Sequence, residues 1–139
     1  MNRFAILLLV AACTNPGDPG TTERRAAYVI FHGDTSAITV PTSASVNVPF
    51  AIDFITFGGG CIRKGETEST VAGLQADVRA YQYEYHPKAN EACTDELRLD
   101  HNTATVQFSV PGTATIQVVG LRAPGGTSAI LSRTLTVTP

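Results

Sequence analysis

The sequence predicts a single all-β domain, a β-sandwich of about seven or eight strands, and three observations predict it. Thr, Val, Ala, Gly and Pro are abundant while Leu, Lys and Glu are sparse, a composition suited to pleated surfaces and tight turns. No long segment carries an uninterrupted 3.6-residue apolar period, so an amphipathic helix has no template. Short alternating apolar and polar runs instead recur between Gly, Pro, Asn, Asp and Ser.

The elements follow in chain order. Residues 1–12 read as a signal peptide: Arg3 supplies a positive charge, Phe4 to Val10 is continuously apolar, and Ala11 and Ala12 are the small residues that precede a cleavage site. The apolar run is too short for a bilayer span, which takes about 20 residues. Val10-Ala11-Ala12-Cys13 resembles the lipobox of bacterial lipoproteins. That resemblance implies cleavage before Cys13, diacylglycerol on its thiol and a membrane partner held through lipid. An ordinary leader cut near Ala12 is the competing account, and it leaves an odd thiol in an oxidising compartment. Thr14 stands where an Asp would retain such a lipoprotein at the inner membrane, so the resemblance favours the outer membrane of a bacterial envelope.

Residues 13–25 are expected to form the lipidated N-terminus and a flexible tether. TNPGDPGTTERR, from Thr14 to Arg25, has two Pro-Gly pairs and no large apolar residue. The domain itself is assigned to residues 26–139. Its predicted strands are Ala26 to Phe31, Ala37 to Val40, Val46 to Phe57, Glu66 to Val71, Ala76 to His86, Thr103 to Val110, Ala114 to Leu121 and Ala129 to Val137. The clearest is the third, where Val46, Val48, Phe50, Ile52 and Phe54 alternate with Asn47, Pro49, Ala51 and Asp53, one face for the core and one for water. Pro111-Gly112 and Pro124-Gly125-Gly126 mark the late turns. KANEACTDEL, from Lys88 to Leu97, leaves a helical turn open as an alternative.

VQFSVPGTATIQVVG, from Val106 to Gly120, together with the Thr- and Val-rich run from Leu131 to Val137, resembles bacterial immunoglobulin-like domains. The resemblance implies a Greek-key sandwich and covers most of residues 35–139. The chain departs from the antibody branch, since it contains no Trp and no Tyr placed ahead of a late cysteine.

Charge excludes one class of partner. The formal net charge is −2, and the Lys and Arg residues are scattered, whereas a nucleic-acid footprint needs a basic stripe. The three cysteines divide into Cys61 and Cys93, expected to pair in an exported protein, and Cys13, left alone for acylation. Closing that loop is worth about 3 to 4 kcal/mol in the chain-entropy account. The expected role of the staple is to tie the excursion from Arg63 to Ala92 onto the sandwich. Zinc by two thiolates lacks a CxxC or a histidine pair at ligand spacing.

Tyr81, Tyr83 and Tyr85 alternate along YQYEYH and share one face of a strand. The upstream apolar phase is even (Ala76, Val78, Ala80), so a bulge near Ala80 would carry the tyrosines into the core; without it they form an aromatic platform that suits sugar rings or a protein partner. His86, Glu91, Asp95, Glu96, Asp100 and His101 have neither EF-hand nor HExxH spacing and are expected on a solvated face, with no metal or other cofactor. Glu66 and Glu68 are expected as surface charge rather than a glycosidase pair. Gly58 to Gly60 is expected to turn the chain into the disulfide rather than to hold phosphate. With no GxSxG and no catalytic spacing, the expected function is a non-enzymatic, lipid-anchored binding or structural module, contacting an envelope protein through strand edges or the loops near Cys61 and Cys93. A glycan or cell-wall module using the tyrosine face is the alternative, and a hydrolase built on His86 or His101 a third.

Overall fold

A computed structural model describes residues 20–139; the expected signal peptide, Cys13 and most of the expected tether lie outside the described residues. Eleven strands form, and no described residue is helical. They are β1 (Thr21–Ala26), β2 (Tyr28–Phe31), β3 (Asp34–Thr35), β4 (Ile38–Thr39), β5 (Ser43–Ser45), β6 (Phe50–Gly59), β7 (Ile62–Ala72), β8 (Gln75–His86), β9 (Leu97–Val106), β10 (Gly112–Ala123) and β11 (Thr127–Thr138).

Three long antiparallel pairings dominate. β6 runs against β9 from Phe50↔Val106 to Gly59↔Leu97, β7 and β8 form a hairpin, and β10 and β11 form another. The β7–β8 turn takes only Gly73 and Leu74, and Gly73 sits at φ +58, which a residue without Cβ adopts at no steric cost. β8 also pairs in parallel with β10, from Gln75↔Thr115 to Arg79↔Val119. Single pairs, Gly59↔Ile62 and Tyr28↔Phe57, join β6 to β7 and to β2, and β2 runs parallel to β10. The network thereby closes through β8, β7, β6, β2 and β10 into a small flattened barrel, so the sandwich has linked edges.

The core lies between the flattened walls. Ile52 and Phe54 from β6, Ala104 and Val106 from β9, Ala76, Val78 and Ala80 from β8, Ile116 and Val118 from β10, and Leu135 and Val137 from β11 are buried along with Val29 and Phe108. The alternation read from β6, β8, β10 and β11 is the inward set. Ser36 Oγ links two elements by hydrogen bonding the carbonyls of Val29 and Ile55, and Asn102 Nδ2 donates to Thr56 Oγ1 at 2.9 Å. Where β7 and β9 lack a ladder, side chains span the seam: Ser69 Oγ donates to the Thr105 carbonyl at 3.0 Å, Arg98 to that of Ile62 at 2.7 Å, and Lys64 to that of His101.

The structure differs from the expected elements in several places. β1 begins at Thr21, inside the segment read as tether, because β8 outruns β10 and leaves backbone from Tyr81 to His86 for the N-terminal chain to pair. Ala27 then steps from β8 to β10: its N–H donates to the Ala80 carbonyl and its own carbonyl accepts from Leu121, both at 2.9 Å. Val46 to Val48 is not strand; Asn47 takes φ +60 in a turn and Val48 is exposed, so β6 starts only at Phe50, after Pro49. The ninth strand runs from Leu97 to Val106 rather than from Thr103, and Lys88 to Glu96 holds a turn but no helix. The excursion from Arg63 to Ala92 is mostly the β7–β8 hairpin, a main part of the sheet.

Candidate functional site

β8 organises the surface with the most chemistry. Its even residues Ala76, Val78, Ala80 and Gln82 all point into the core, so the change of phase expected at Ala80 does not occur. A polar residue occupies the fourth inward place: Gln82 is 2% exposed, and its Oε1 accepts the Tyr28 N–H at 3.3 Å where β1 hands over to β2. The irregularity lies across the hairpin instead, between Lys64 and Thr67 of β7. Gly65 permits it, since a Cβ there would stand 2.8 Å from the Tyr81 carbonyl oxygen. Tyr81, Tyr83 and Tyr85 therefore remain on the outer face, Tyr83 exposed and the other two half-buried.

Flanking strands deliver charges to these rings. β1 sets Thr22 opposite Tyr85 and Arg24 opposite Tyr83, and β7 sets Arg63 opposite Tyr83 from the other side. The Arg24 guanidinium carbon lies 3.4 Å from the Tyr81 ring centroid, a cation–π contact. The same guanidinium bonds Glu66 and, at 2.8 Å, Glu68. Glu66 in turn accepts from the Tyr83 hydroxyl at 3.0 Å. Its carboxyl is held below the ordinary glutamate value, first by its own backbone N–H and next by Arg24. Tyr85 donates to Glu91 at 2.7 Å, which raises the phenol and lowers the carboxyl. Glu91 also accepts from the Lys88 N–H at 3.3 Å, so the loop after β8 is folded back onto the tyrosine face.

Beside Tyr83 and Tyr85 lies a cavity of about 520 Å³, lined by Thr22, Gly60, Cys61, Arg63, Lys64 and the two tyrosines. Its size falls in the roughly 300 to 1,000 Å³ range of small-molecule sites. Hollows of about 130 Å³ beside Tyr81 and about 140 Å³ beside His101 are too small for that role. One wall is fixed covalently, because Cys61 and Cys93 form a disulfide with their Cα atoms 5.2 Å apart. The glycines before it allow that approach: a Cβ on Gly59 would meet the Glu96 carbonyl at 2.6 Å, and one on Gly60 the Thr94 carbonyl at 2.2 Å.

The remaining residues singled out in the sequence are dispersed. Glu66 and Glu68 are brought together, but as the two acceptors of Arg24. His86 Nε2 stands 3.4 Å from Glu23, Asp100 pairs with Arg98 at 2.8 Å, and His101 lies on the outward face of β9. Among the described residues no three His, Cys, Asp or Glu side chains gather as a metal site. Thr22, Arg24, Arg63 and Lys64 were not marked by the sequence pattern. The one signal for the first two is that TTERRA runs into AYVIF without an intervening Gly or Pro.

No protein-family model, curated protein or solved structure matches this chain.

Proposed function

We propose that this protein is a non-enzymatic binding module of immunoglobulin-like type, lipid-anchored through Cys13 in a bacterial cell envelope, with the outer membrane favoured, and that it binds a glycan on the tyrosine face of β8. The observation that carries the proposal is the pair of outward tyrosines, Tyr83 and Tyr85, bordering a cavity of about 520 Å³, with Tyr81 next along the same face of β8. The hydroxyls of Tyr83 and Tyr85 already donate to Glu66 and Glu91, so what these two residues offer a ligand is ring surface, the part of a tyrosine that stacks on the C–H face of a sugar. The cavity also adjoins Cys61, the loop region where a partner was expected.

A glycan array tests this. The purified protein should retain a defined set of oligosaccharides, and Tyr83→Ala should weaken retention about tenfold or more, on the scale of one aromatic anchor. Retention unaffected by that substitution would overturn the proposal.

An envelope protein partner is the second reading, favoured by Leu97 and Leu99, which are 56% and 52% exposed on the outward face of β9. Cross-linked envelopes should then yield a partner whose capture is lost with Leu99→Asp.

A further inference from the structure

Resting on the glycan reading above, we propose that the ligand is an acidic one, a sugar unit bearing a carboxylate, with Arg63 as the group that binds the acid. The lining of the cavity contains two cations and no carboxylate: Arg63, Lys64, Tyr83, Tyr85, Thr22, Gly60 and Cys61. The other arginine beside these tyrosines is already matched, Arg24 being taken by Glu66 and Glu68. Arg63 makes no ion pair among the described residues, although it stands directly across the ladder from Tyr83. A guanidinium with its fork open beside an exposed aromatic ring suits a planar carboxylate carried on a ring that stacks.

Neither nearby acid lines the cavity: Glu66 is paired with Arg24, and Glu91 keeps its charge outside the lining, where it accepts the Tyr85 hydroxyl. Each accepts a tyrosine O–H, which fixes the two phenols with their hydroxyls directed at protein. Ring stacking then supplies sequence-independent affinity for a sugar, and Arg63 supplies the choice among sugars. Lys64 stands across the ladder from the inward-facing Gln82, and its ammonium donates to the His101 carbonyl of β9, which leaves Arg63 as the cation available to a ligand in the cavity. The chain as a whole carries −2, which leaves this cavity as a local inversion of the molecular charge rather than part of a general basic surface.

Calorimetric titration of the purified protein with tetragalacturonate, neutral chitotetraose and tetraglutamate tests the inference, using wild type, Arg63→Gln and the exposed control Arg133→Gln. Tetragalacturonate is expected to bind at least tenfold more tightly than chitotetraose, and Arg63→Gln to remove about that factor, as for one charged hydrogen-bonded contact, while Arg133→Gln changes nothing. Equal binding of the acidic and neutral sugars, insensitive to Arg63→Gln, would overturn the acidic assignment and leave glycan binding standing. Tetraglutamate bound as tightly as tetragalacturonate would overturn it too, since the site would then read charge alone. Failure of both sugars to bind would overturn the glycan reading together with this inference. Arg63 is exposed, and an unchanged thermal midpoint for Arg63→Gln distinguishes lost recognition from lost folding.

Discussion

Arg24 is the residue on which the tyrosine face turns. It covers the Tyr81 ring, binds Glu66 and Glu68, and through Glu66 orients the Tyr83 hydroxyl. The Glu66 carboxyl is held below its ordinary value, so its contribution is complete above the ordinary glutamate range and is lost as pH falls through the depressed value. Carbon-13 NMR titration should place the Glu66 and Glu91 carboxyls below the ordinary glutamate value, and Arg24→Gln should move Glu66 upward only in part, because its own backbone N–H is the larger cause. An unchanged Glu66 midpoint in that variant would remove Arg24 from the network. In the core the corresponding residue is Phe108, fully buried and packed 6.0 Å from Phe50 between ring centroids. Phe108→Ala should cost about 3 to 5 kcal/mol in urea denaturation, the usual scale for emptying an aromatic site. A loss under 1 kcal/mol would show that this end of the sandwich collapses freely. Residue by residue, the sequence was legible where apolar side chains mark the inward face, as at Ile52, Phe54, Ile116 and Val118. It was illegible at Gln82, where a polar side chain fills an inward place because it satisfies the Tyr28 N–H, and that single position concealed which way the tyrosines point.

Among the elements, the long pairings were readable and the short ones were not. β8, β10 and β11 lie within two residues of their expected limits because alternation and the Pro-Gly turns specify them locally. β1, β3 and β5 have no amphipathic signal of their own; β1 exists because β8 extends past β10 and offers backbone partners. Thr22 and Arg24 of the candidate site come from that hidden strand. The disulfide was expected and is formed, yet its role is different from a clasp on a loose loop: it joins the β6–β7 turn to the segment before β9 and makes one wall of the cavity. The paired change Cys61→Ser with Cys93→Ser should lower stability by about 3 to 4 kcal/mol, as loop-closure entropy predicts for this separation. It should also weaken ligand binding more than stability alone explains, measured at a temperature where the variant stays folded. Full binding by the variant would dissociate the staple from the site. Gly65→Ala should disturb the same site from the other side, since the added Cβ meets the Tyr81 carbonyl and shifts Glu66.

At the scale of the whole molecule, an anchor at Cys13 and a tether are proposed ahead of the described residues, and a flattened barrel carries β8 with its tyrosines outward. β1 takes Thr21 to Arg25 out of the segment expected as tether. Mass spectrometry of the protein from membranes should find Cys13 acylated at the new N-terminus and Cys61 bridged to Cys93, while Cys13→Ser should release the protein from the membrane fraction. An unmodified Cys13 thiol would dispose of the anchor. The central claim, that ligands are taken on the tyrosine face, is tested most directly by chemical-shift mapping of nitrogen-15 labelled protein with a glycan retained on the array. The account predicts perturbed amides clustered at Thr22, Gly60, Arg63, Tyr83 and Tyr85, with β9 and β11 unmoved. Perturbations centred on Leu97 to Val106, with the β8 tyrosines silent, would contradict it.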